Sequence, residues 1–129
     1  MKIGRTIIKG LENNSNADLI IGFLKQVKER TTLKFPNVIE FRKLRSAGRA
    51  YFRYEYTRIS IAKELAFDDI VFTLIHELAH TSGHFNHKRA FWRKFFNNCL
   101  KMNLKVSNKY IQYKSGLRYF KKLNERGLV

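Results

Sequence analysis

Two histidines four residues apart inside an apolar segment constrain this chain more than any other feature. Residues 72–80 read Phe-Thr-Leu-Ile-His-Glu-Leu-Ala-His. On an α-helix, residues four apart share a face, so His76 and His80 can direct both imidazoles to one metal ion. Glu77 lies one step round the helix, where its carboxylate can take a proton from an attacking water. The spacing predicts a helix over about 68–82 that carries two metal ligands and a general base.

The residues around this motif indicate that the helix is buried rather than lying on the surface. Asp68 and Asp69 precede the apolar residues, where they would cap the helix and complement its dipole, and Gly83 is placed to end it. Histidine and glutamate are costly in a buried helix unless they are paired or bound to a metal. All four histidines of the chain lie between residues 76 and 87. The apolar residues before the motif are Ile70, Val71, Phe72, Leu74 and Ile75.

The third metal ligand can be narrowed by elimination. A catalytic zinc ion usually has three protein ligands and a water. After His80 the chain contains one carboxylate, Glu125, close to its end, which leaves His84 and His87. We favour His87 because it opens an apolar-periodic segment that would hold it firmly, and His84 stays as the alternative. One Zn²⁺ ion bound by His76, His80 and His87, with Glu77 as the catalytic residue, is therefore predicted.

Composition excludes several classes of protein. The 129 residues suit one domain, predicted over 1–129, and 44% hydrophobic residues exclude a disordered chain. A single cysteine, Cys99, excludes an internal disulfide and suits a reducing compartment. No apolar run reaches the length of a membrane span or of a signal peptide. We expect an intracellular monomer, located in the cytoplasm, nucleoid or nucleus, with no membrane partner.

The formal net charge of +16 predicts an anionic partner. From Thr81 onward there are twelve Lys and Arg residues and one Glu, so residues 81–129 carry +11 of the +16. We interpret this as a surface for DNA, single- or double-stranded, although lysine on a solvated surface would give the same composition. The candidate contacts are Lys88, Arg89, Arg93, Lys94, Lys101, Lys105, Lys114, Arg118, Lys121 and Lys122.

The order of predicted elements is that of an α+β domain with a small, mostly antiparallel sheet. A short strand over Lys2–Lys9 precedes a helix that ends near Arg30, with Ser15 and Asp18 as a capping box. Strands are predicted over Val38–Arg42, Tyr51–Tyr56 and Arg58–Ile61, with a turn at Ser46–Gly48 before the second. The active-site helix follows, then a helix from His87 to about Met102. A basic C-terminal segment, about 104–129, is helical beyond Asn108.

Residues 72–80, followed by Asn-His-Lys-Arg-Ala-Phe-Trp at 86–92, resemble the SprT/Spartan and WLM group of zinc metallopeptidases and the related YgjP-type enzymes. In these families a histidine after the zinc helix is the third ligand, and a packed phenylalanine follows four residues later. His87 and Phe91 match those positions, and Trp92 matches the Phe-Trp variant. The resemblance covers about Tyr51 to Cys99, and the His80–His87 spacing is one residue longer than in the WLM and YgjP patterns. No zinc-ribbon cysteines are present.

This resemblance implies a minimal zincin-like domain that cleaves proteins bound or crosslinked to DNA, a role in DNA repair. Residues 76–84 are also similar to the metallopeptidase part of ArdC-type antirestriction proteins, which use a downstream acidic ligand that this chain lacks. Two further interpretations stay open: a nucleic-acid-binding protein with a structural zinc, and a small peptidase with no DNA role. Tyr110, Tyr113 and Arg118 are candidates to stabilise the oxyanion, and the aromatic strand at Tyr51–Tyr56 is a candidate to hold an extended peptide.

Overall fold

The fold is built on a five-stranded mixed sheet. The computed structural model describes residues 1–53, 56–84, 86–111 and 113–127, without the side chains of residues 53 and 56. The strands lie in the order β1-β2-β3-β5-β4, so β4 forms one edge of the sheet in the described part of the chain. They are β1 (Lys2–Ile3), β2 (Thr6–Lys9), β3 (Val38–Arg42), β4 (Gly48–Arg53) and β5 (Tyr56–Ala62).

Four helices complete the described elements. The first, α1, connects β2 to β3, and the other three follow the sheet in the chain. None of the described helices combines the length and apolar character needed to cross a bilayer. The helices are α1 (Ala17–Arg30), α2 (Phe67–Thr81), α3 (Arg89–Lys101) and α4 (Lys114–Glu125), with a 3₁₀ turn at Asn108–Tyr110 before α4.

All four helices contribute to one apolar core on one face of the sheet, which we call the inner face. Ile39 of β3 and Ile59 of β5 point into this core and are fully buried. Helix α2 lies at its centre, because Ile70, Leu74 and Leu78 recur at helical spacing and are also fully buried. Partly buried Tyr119, Phe120 and Leu123 of α4 pack against the same core. The alternate residues of each strand form the outer face.

The α+β class is confirmed, but the expectation of a mostly antiparallel sheet is wrong. The β2–β3 and β3–β5 pairs are parallel, whereas β1–β2 and β4–β5 are antiparallel. Parallel strands need a long crossover connection, and α1 supplies one between β2 and β3. The second parallel pair arises because β5 lies between β3 and β4, so that β4 is displaced to the edge.

Element bounds agree with the sequence predictions most closely where the local pattern is strong. Strand β3 has the predicted bounds, and α2 is shifted from the prediction by one residue at each end. Strand β4 begins at Gly48, which we expected to lie in a turn, and residues 54 and 55 of the predicted Tyr51–Tyr56 strand lie outside the described residues. Helix α3 begins at Arg89, so His87 precedes it rather than opening it.

The predicted N-terminal caps are wrong, and the predicted C-terminal stop is confirmed. Ala66 and Asn16 occupy the N-cap positions of α2 and α1, and neither makes a side-chain capping hydrogen bond. Asp68 and Asp69 lie in the first turn of α2, where they still complement the helix dipole. Gly83 has φ +105° just after the end of α2, a left-handed conformation that favours glycine.

Candidate metal centre and cleft

Three imidazoles converge at the C-terminal half of α2. The Nε2 atoms of His76 and His80 each lie 3.0 Å from the Nε2 atom of His87. The ligand atoms of the three residues all lie within 4.8 Å of one another. The helix brings His76 and His80 together because they are one turn apart, and the chain after Gly83 returns His87 to the same point. The three histidines are therefore close enough to bind one metal ion.

The geometry and donor set fit a metal of the zinc type. Four tetrahedral ligands at a Zn–N distance of roughly 2.0–2.1 Å lie about 3.3 Å from one another. The observed separations of 3.0 Å are near that value. Three protein nitrogens would leave one position of a tetrahedral ion without a ligand from the described residues.

Each of the three histidines is held in its neutral, ligand-competent form. Burial, reinforced by the neighbouring His80 and His87, lowers the pKa of His76 to about 3. Burial and the charge of His80 lower the pKa of His87 to about 4. The pKa of His80 is also lowered, chiefly by burial. A neutral imidazole keeps a lone pair on one nitrogen, so these residues need not lose a proton to bind an ion near pH 7.

His84, the alternative third ligand, contacts His80 through its backbone carbonyl. Nδ1 of His80 lies 2.7 Å from the carbonyl oxygen of His84, so an N–H at Nδ1 donates to that oxygen. This hydrogen bond leaves the lone pair of His80 on Nε2, the atom that faces His87. Residues 76, 80 and 87 form the cluster, and the imidazole of His84 is outside it.

His87 lies in a loop, yet four later residues hold it in place. Its carbonyl oxygen accepts hydrogen bonds from Nε1 of Trp92 at 3.0 Å and from Oγ of Ser115 at 2.5 Å. The ring of Tyr113 stacks on its imidazole, with centroids 3.7 Å apart and an interplanar angle of 16°. Phe91 packs against all three imidazoles, with ring centroids 4.5–4.9 Å away. The resemblance drew attention to Phe91 and Trp92, but no local signal in the sequence indicated a role for Ser115.

Glu77 is a buried carboxylate with an unsatisfied atom. It is 6% exposed, and its Oε2 atom has no hydrogen-bond partner among the described residues. Burial raises the pKa of Glu77 to about 7. A buried carboxyl oxygen without a partner costs free energy, so its position next to two metal ligands calls for a partner that the described residues do not supply. Water at the metal site has the required chemistry.

A cleft of about 530 Å³ opens between α2 and the edge strand β4. Two of its walls are formed by residues 46–50 with Phe52 and by the face of α2 that carries His76, Glu77 and His80. His87, Lys109, Tyr110 and Tyr113 close the cleft on a further side. Tyr110 stacks on Phe72 of α2, with ring centroids 3.9 Å apart. The three histidines and Glu77 therefore line one concave and open site.

Two of the predicted oxyanion-stabilising residues line the cleft, whereas the predicted DNA-binding residues lie on or beside α3 and α4. Tyr110 and Tyr113 line the cleft, whereas Arg118 is not among the lining residues in the described part of the chain. The ten predicted DNA contacts lie on α3, α4 and the segments beside them, and all are exposed except Lys94, which is half-buried. The cationic residues at the cleft, Arg49 and Lys109, were not among them.

Gly48 is a further site residue that the sequence analysis assigned to a turn. A Cβ atom at this position would lie 2.7 Å from Cγ2 of Thr73 and 3.1 Å from Cγ of Glu77. The glycine thus lets β4 approach α2 closely at Glu77.

In comparisons with known proteins, no family model, curated protein or solved structure matches this chain.

Proposed function

We propose that this protein is a zinc-dependent metallopeptidase, a zincin-like domain similar to the SprT/Spartan and WLM group, that cleaves proteins associated with or crosslinked to DNA. One observation carries the proposal. Three neutral imidazoles converge in an open cleft that Glu77 also lines, and the buried Oε2 atom of Glu77 has no hydrogen-bond partner among the described residues. A site of purely structural importance needs neither the open position nor the adjacent base.

Zinc is the ion that the donor set favours. Imidazole nitrogens suit zinc, and three of them with one open position are the ligand set of several catalytic zinc sites. When bound there, Zn²⁺ would polarise the scissile carbonyl and lower the pKa of a water to roughly 7. His76, His80 and His87 would hold it through Nε2, and the hydrogen bond between His80 and the carbonyl of His84 would orient one ligand.

Glu77 is the proposed general base. Its carboxylate would accept a proton from the attacking water and then deliver that proton to the leaving nitrogen of the amide. A pKa of about 7, produced by burial, suits a group that must both take up and release a proton near neutral pH. Tyr110 and Tyr113 line the same cleft, and their hydroxyl groups are candidates to stabilise the oxyanion.

Strand β4 is the proposed docking edge for the peptide. It pairs with β5 through Gly48–Arg53, and no other strand in the described part of the chain pairs with it. The same strand contributes Gly48, Ala50 and Phe52 to the cleft wall opposite α2. An extended peptide could add to this edge by backbone hydrogen bonds and so run past Glu77.

The peptidase proposal is tested by replacing the base while leaving the ligands intact. Glu77→Gln should retain one zinc ion per chain but lose cleavage of a DNA-binding protein by roughly 10²–10⁴-fold. The matched control is Glu125→Gln, which makes the same chemical change on an exposed residue at the end of α4. Fragments are followed on gels with and without a chelator. Cleavage by Glu77→Gln at the rate of the parent protein would contradict the proposal.

DNA association is tested by the dependence of cleavage and binding on DNA and salt. The exposed cations on α3 and α4 support this part of the proposal, since residues 81–129 have a net charge of +11. Binding to DNA should weaken steeply as salt rises, because each neutralised phosphate releases counterions. Addition of DNA should also accelerate cleavage of a DNA-binding protein. If neither cleavage nor binding responds to DNA, the DNA part of the proposal is contradicted and the zinc-peptidase part stands.

A further inference from the structure

The outer face of the sheet carries a basic surface. Because side chains alternate along a strand, the register of the pairs defines which residues share this face. Lys9 pairs with Glu40, Glu40 with Ser60, and Ser60 with Arg49, so these residues form one row across four strands. Arg58 and Tyr51 pair in the adjacent row, and Arg42 lies beyond Glu40 on the same face. The charged and aromatic residues of the outer face include Lys9, Glu40, Arg42, Arg49, Tyr51 and Arg58.

Its charge is predominantly positive. Glu40 is the single carboxylate of the set, and it forms ion pairs with Arg58 and Arg42. Lys9 and Arg49 are exposed and form no ion pair within the described residues. Neighbouring strands are about 4.8 Å apart, so these two cations lie about 14 Å apart across the face. A flat surface with separated, unneutralised cations is complementary to a polyanion rather than to a single small anion.

Tyr51 of the edge strand β4 adds an aromatic ring beside Arg42 and Arg49. Its hydroxyl accepts a hydrogen bond from Nη2 of Arg42 at 3.0 Å, and 38% of the residue is exposed. Burial acts to raise the pKa of Tyr51, but hydrogen bonds and charge from Arg49 and Arg42 outweigh it and lower the pKa below its usual value. The phenol is thus fixed between two guanidinium groups, with part of its ring available for contact.

We propose that the outer face binds single-stranded nucleic acid, with Lys9, Arg42 and Arg49 on the phosphates and a base on Tyr51. Cations that follow the backbone and an aromatic ring that stacks on unpaired bases are the two components of single-strand recognition. A sheet with exposed aromatic residues offers both on one surface. This site is distinct from the cations of α3 and α4, and binding there does not depend on peptidase activity.

The position of β4 connects this surface to the cleft. By the alternation along β4, Tyr51 lies on the outer face and Gly48, Ala50 and Phe52 line the cleft. Arg49 belongs to the outer-face row and also borders the cleft. A nucleic acid strand on the outer face would therefore run beside the edge at which we propose that a peptide docks. Where the proposed peptidase function also holds, a protein bound to that strand would be held near Glu77.

Binding of fluorescein-labelled oligo(dT) and oligo(U) 20-mers, followed by anisotropy, tests the proposal. The full chain is used in the Glu77→Gln form, so that failure of the peptidase proposal does not affect the result. The double variant Lys9→Gln/Arg49→Gln should bind about tenfold more weakly. The slope of log K against log salt should fall by about 1.4, since each single-strand phosphate contact contributes about 0.7. The matched control, Lys121→Gln/Lys122→Gln, removes the same charge from α4 and should lose less affinity.

Substitution of Tyr51 separates stacking from charge. Tyr51→Leu should weaken binding at least about fivefold with an unchanged salt slope, and Tyr51→Phe, which keeps the ring, should bind nearly as well as the parent. Circular dichroism checks folding, and if Tyr51→Leu does not fold, the charge variants and Tyr51→Phe still decide. Equal losses in the outer-face and α4 double variants would overturn the proposal. The proposal would also be overturned if polyglutamate competed as well as oligo(dT) and Tyr51→Leu had no effect. The outer face would then be a binding surface for acidic proteins. Comparison of oligo(dT) with oligo(U) identifies the preferred strand chemistry.

Discussion

Oγ of Ser115 donates a hydrogen bond to the backbone carbonyl of His87 at 2.5 Å, although the two residues are 28 positions apart in the chain. Nε1 of Trp92 donates to the same oxygen and lies 2.9 Å from the Ser115 hydroxyl. His87, the proposed third metal ligand, lies between α2 and α3, outside any regular element. Its backbone is held by hydrogen bonds from Trp92 of α3 and Ser115 of α4. The C-terminal segment therefore contributes to the metal site as well as to the charge of the chain.

Removal of the Ser115 hydroxyl should weaken metal binding. We expect Ser115→Ala to lower zinc affinity by about tenfold, because partners that orient a ligand typically contribute at least that much. The measurement is competition with a chromophoric chelator. Ser107→Ala is the control, since Ser107 is exposed and makes no capping hydrogen bond. Equal zinc affinities in the two variants would show that Trp92 alone suffices to hold His87.

Gly48 should be intolerant of a side chain because of its contact with α2. In Gly48→Ala the new Cβ would be 2.7 Å from Cγ2 of Thr73 and 3.1 Å from Cγ of Glu77, so the strand and helix must separate. We expect a loss of about 1–3 kcal/mol in the free energy of unfolding. We expect cleavage to fall further than zinc affinity, because the added Cβ displaces Glu77, whereas the three imidazoles are not among its nearest neighbours. Both effects are measured by denaturant titration and by initial rates.

Two variants provide controls for the Gly48 prediction. Gly22 lies inside α1, and a Cβ added there would meet no atom within 4 Å, so Gly22→Ala should stabilise the protein by about 0.5–1 kcal/mol. Thr73→Ser removes the clashing methyl group and keeps the hydroxyl that donates to the carbonyl of Asp69. The double variant Gly48→Ala/Thr73→Ser should recover part of the lost stability. Additive losses would mean that Thr73 is not the obstacle.

The sequence predicts features set by a local pattern, such as α2, but not contacts between distant segments, such as that of Ser115 with His87. The α2 helix and the pairing of His76 with His80 are predictable because helical periodicity is local. The same holds for strand β3, whose alternation sets its bounds. The partners of His87, the close approach at Gly48 and the parallel pairing of β3 with β5 join segments distant in sequence, and no local pattern encodes them. The predicted N-caps are wrong because a polar residue near a helix start does not by itself determine which residue adopts the cap conformation.

Cys99 should be chemically inert in the folded protein. It is fully buried in the core on α3, and burial raises the pKa of its thiol above the usual range, so the reactive thiolate is scarce at pH 8. With a chromogenic disulfide reagent we expect no reaction of the native protein over minutes and one equivalent in guanidinium chloride. Rapid labelling of the native protein would mean that α3 separates from the core readily.

Metal removal should lower the thermal stability of the protein without unfolding it. A ligand present at a thousandfold excess over its Kd stabilises the folded state by about 4 kcal/mol, which corresponds to roughly 10–15 °C in Tm for a domain of this size. The apo protein should remain folded at 25 °C, because Ile70, Leu74 and Leu78 anchor α2 in the apolar core independently of the metal. Calorimetry with and without a chelator measures the shift. Glu77→Gln should keep the full shift and His87→Ala should lose most of it, since only the histidine is a proposed ligand. The same shift in both variants would exclude His87 from the metal site.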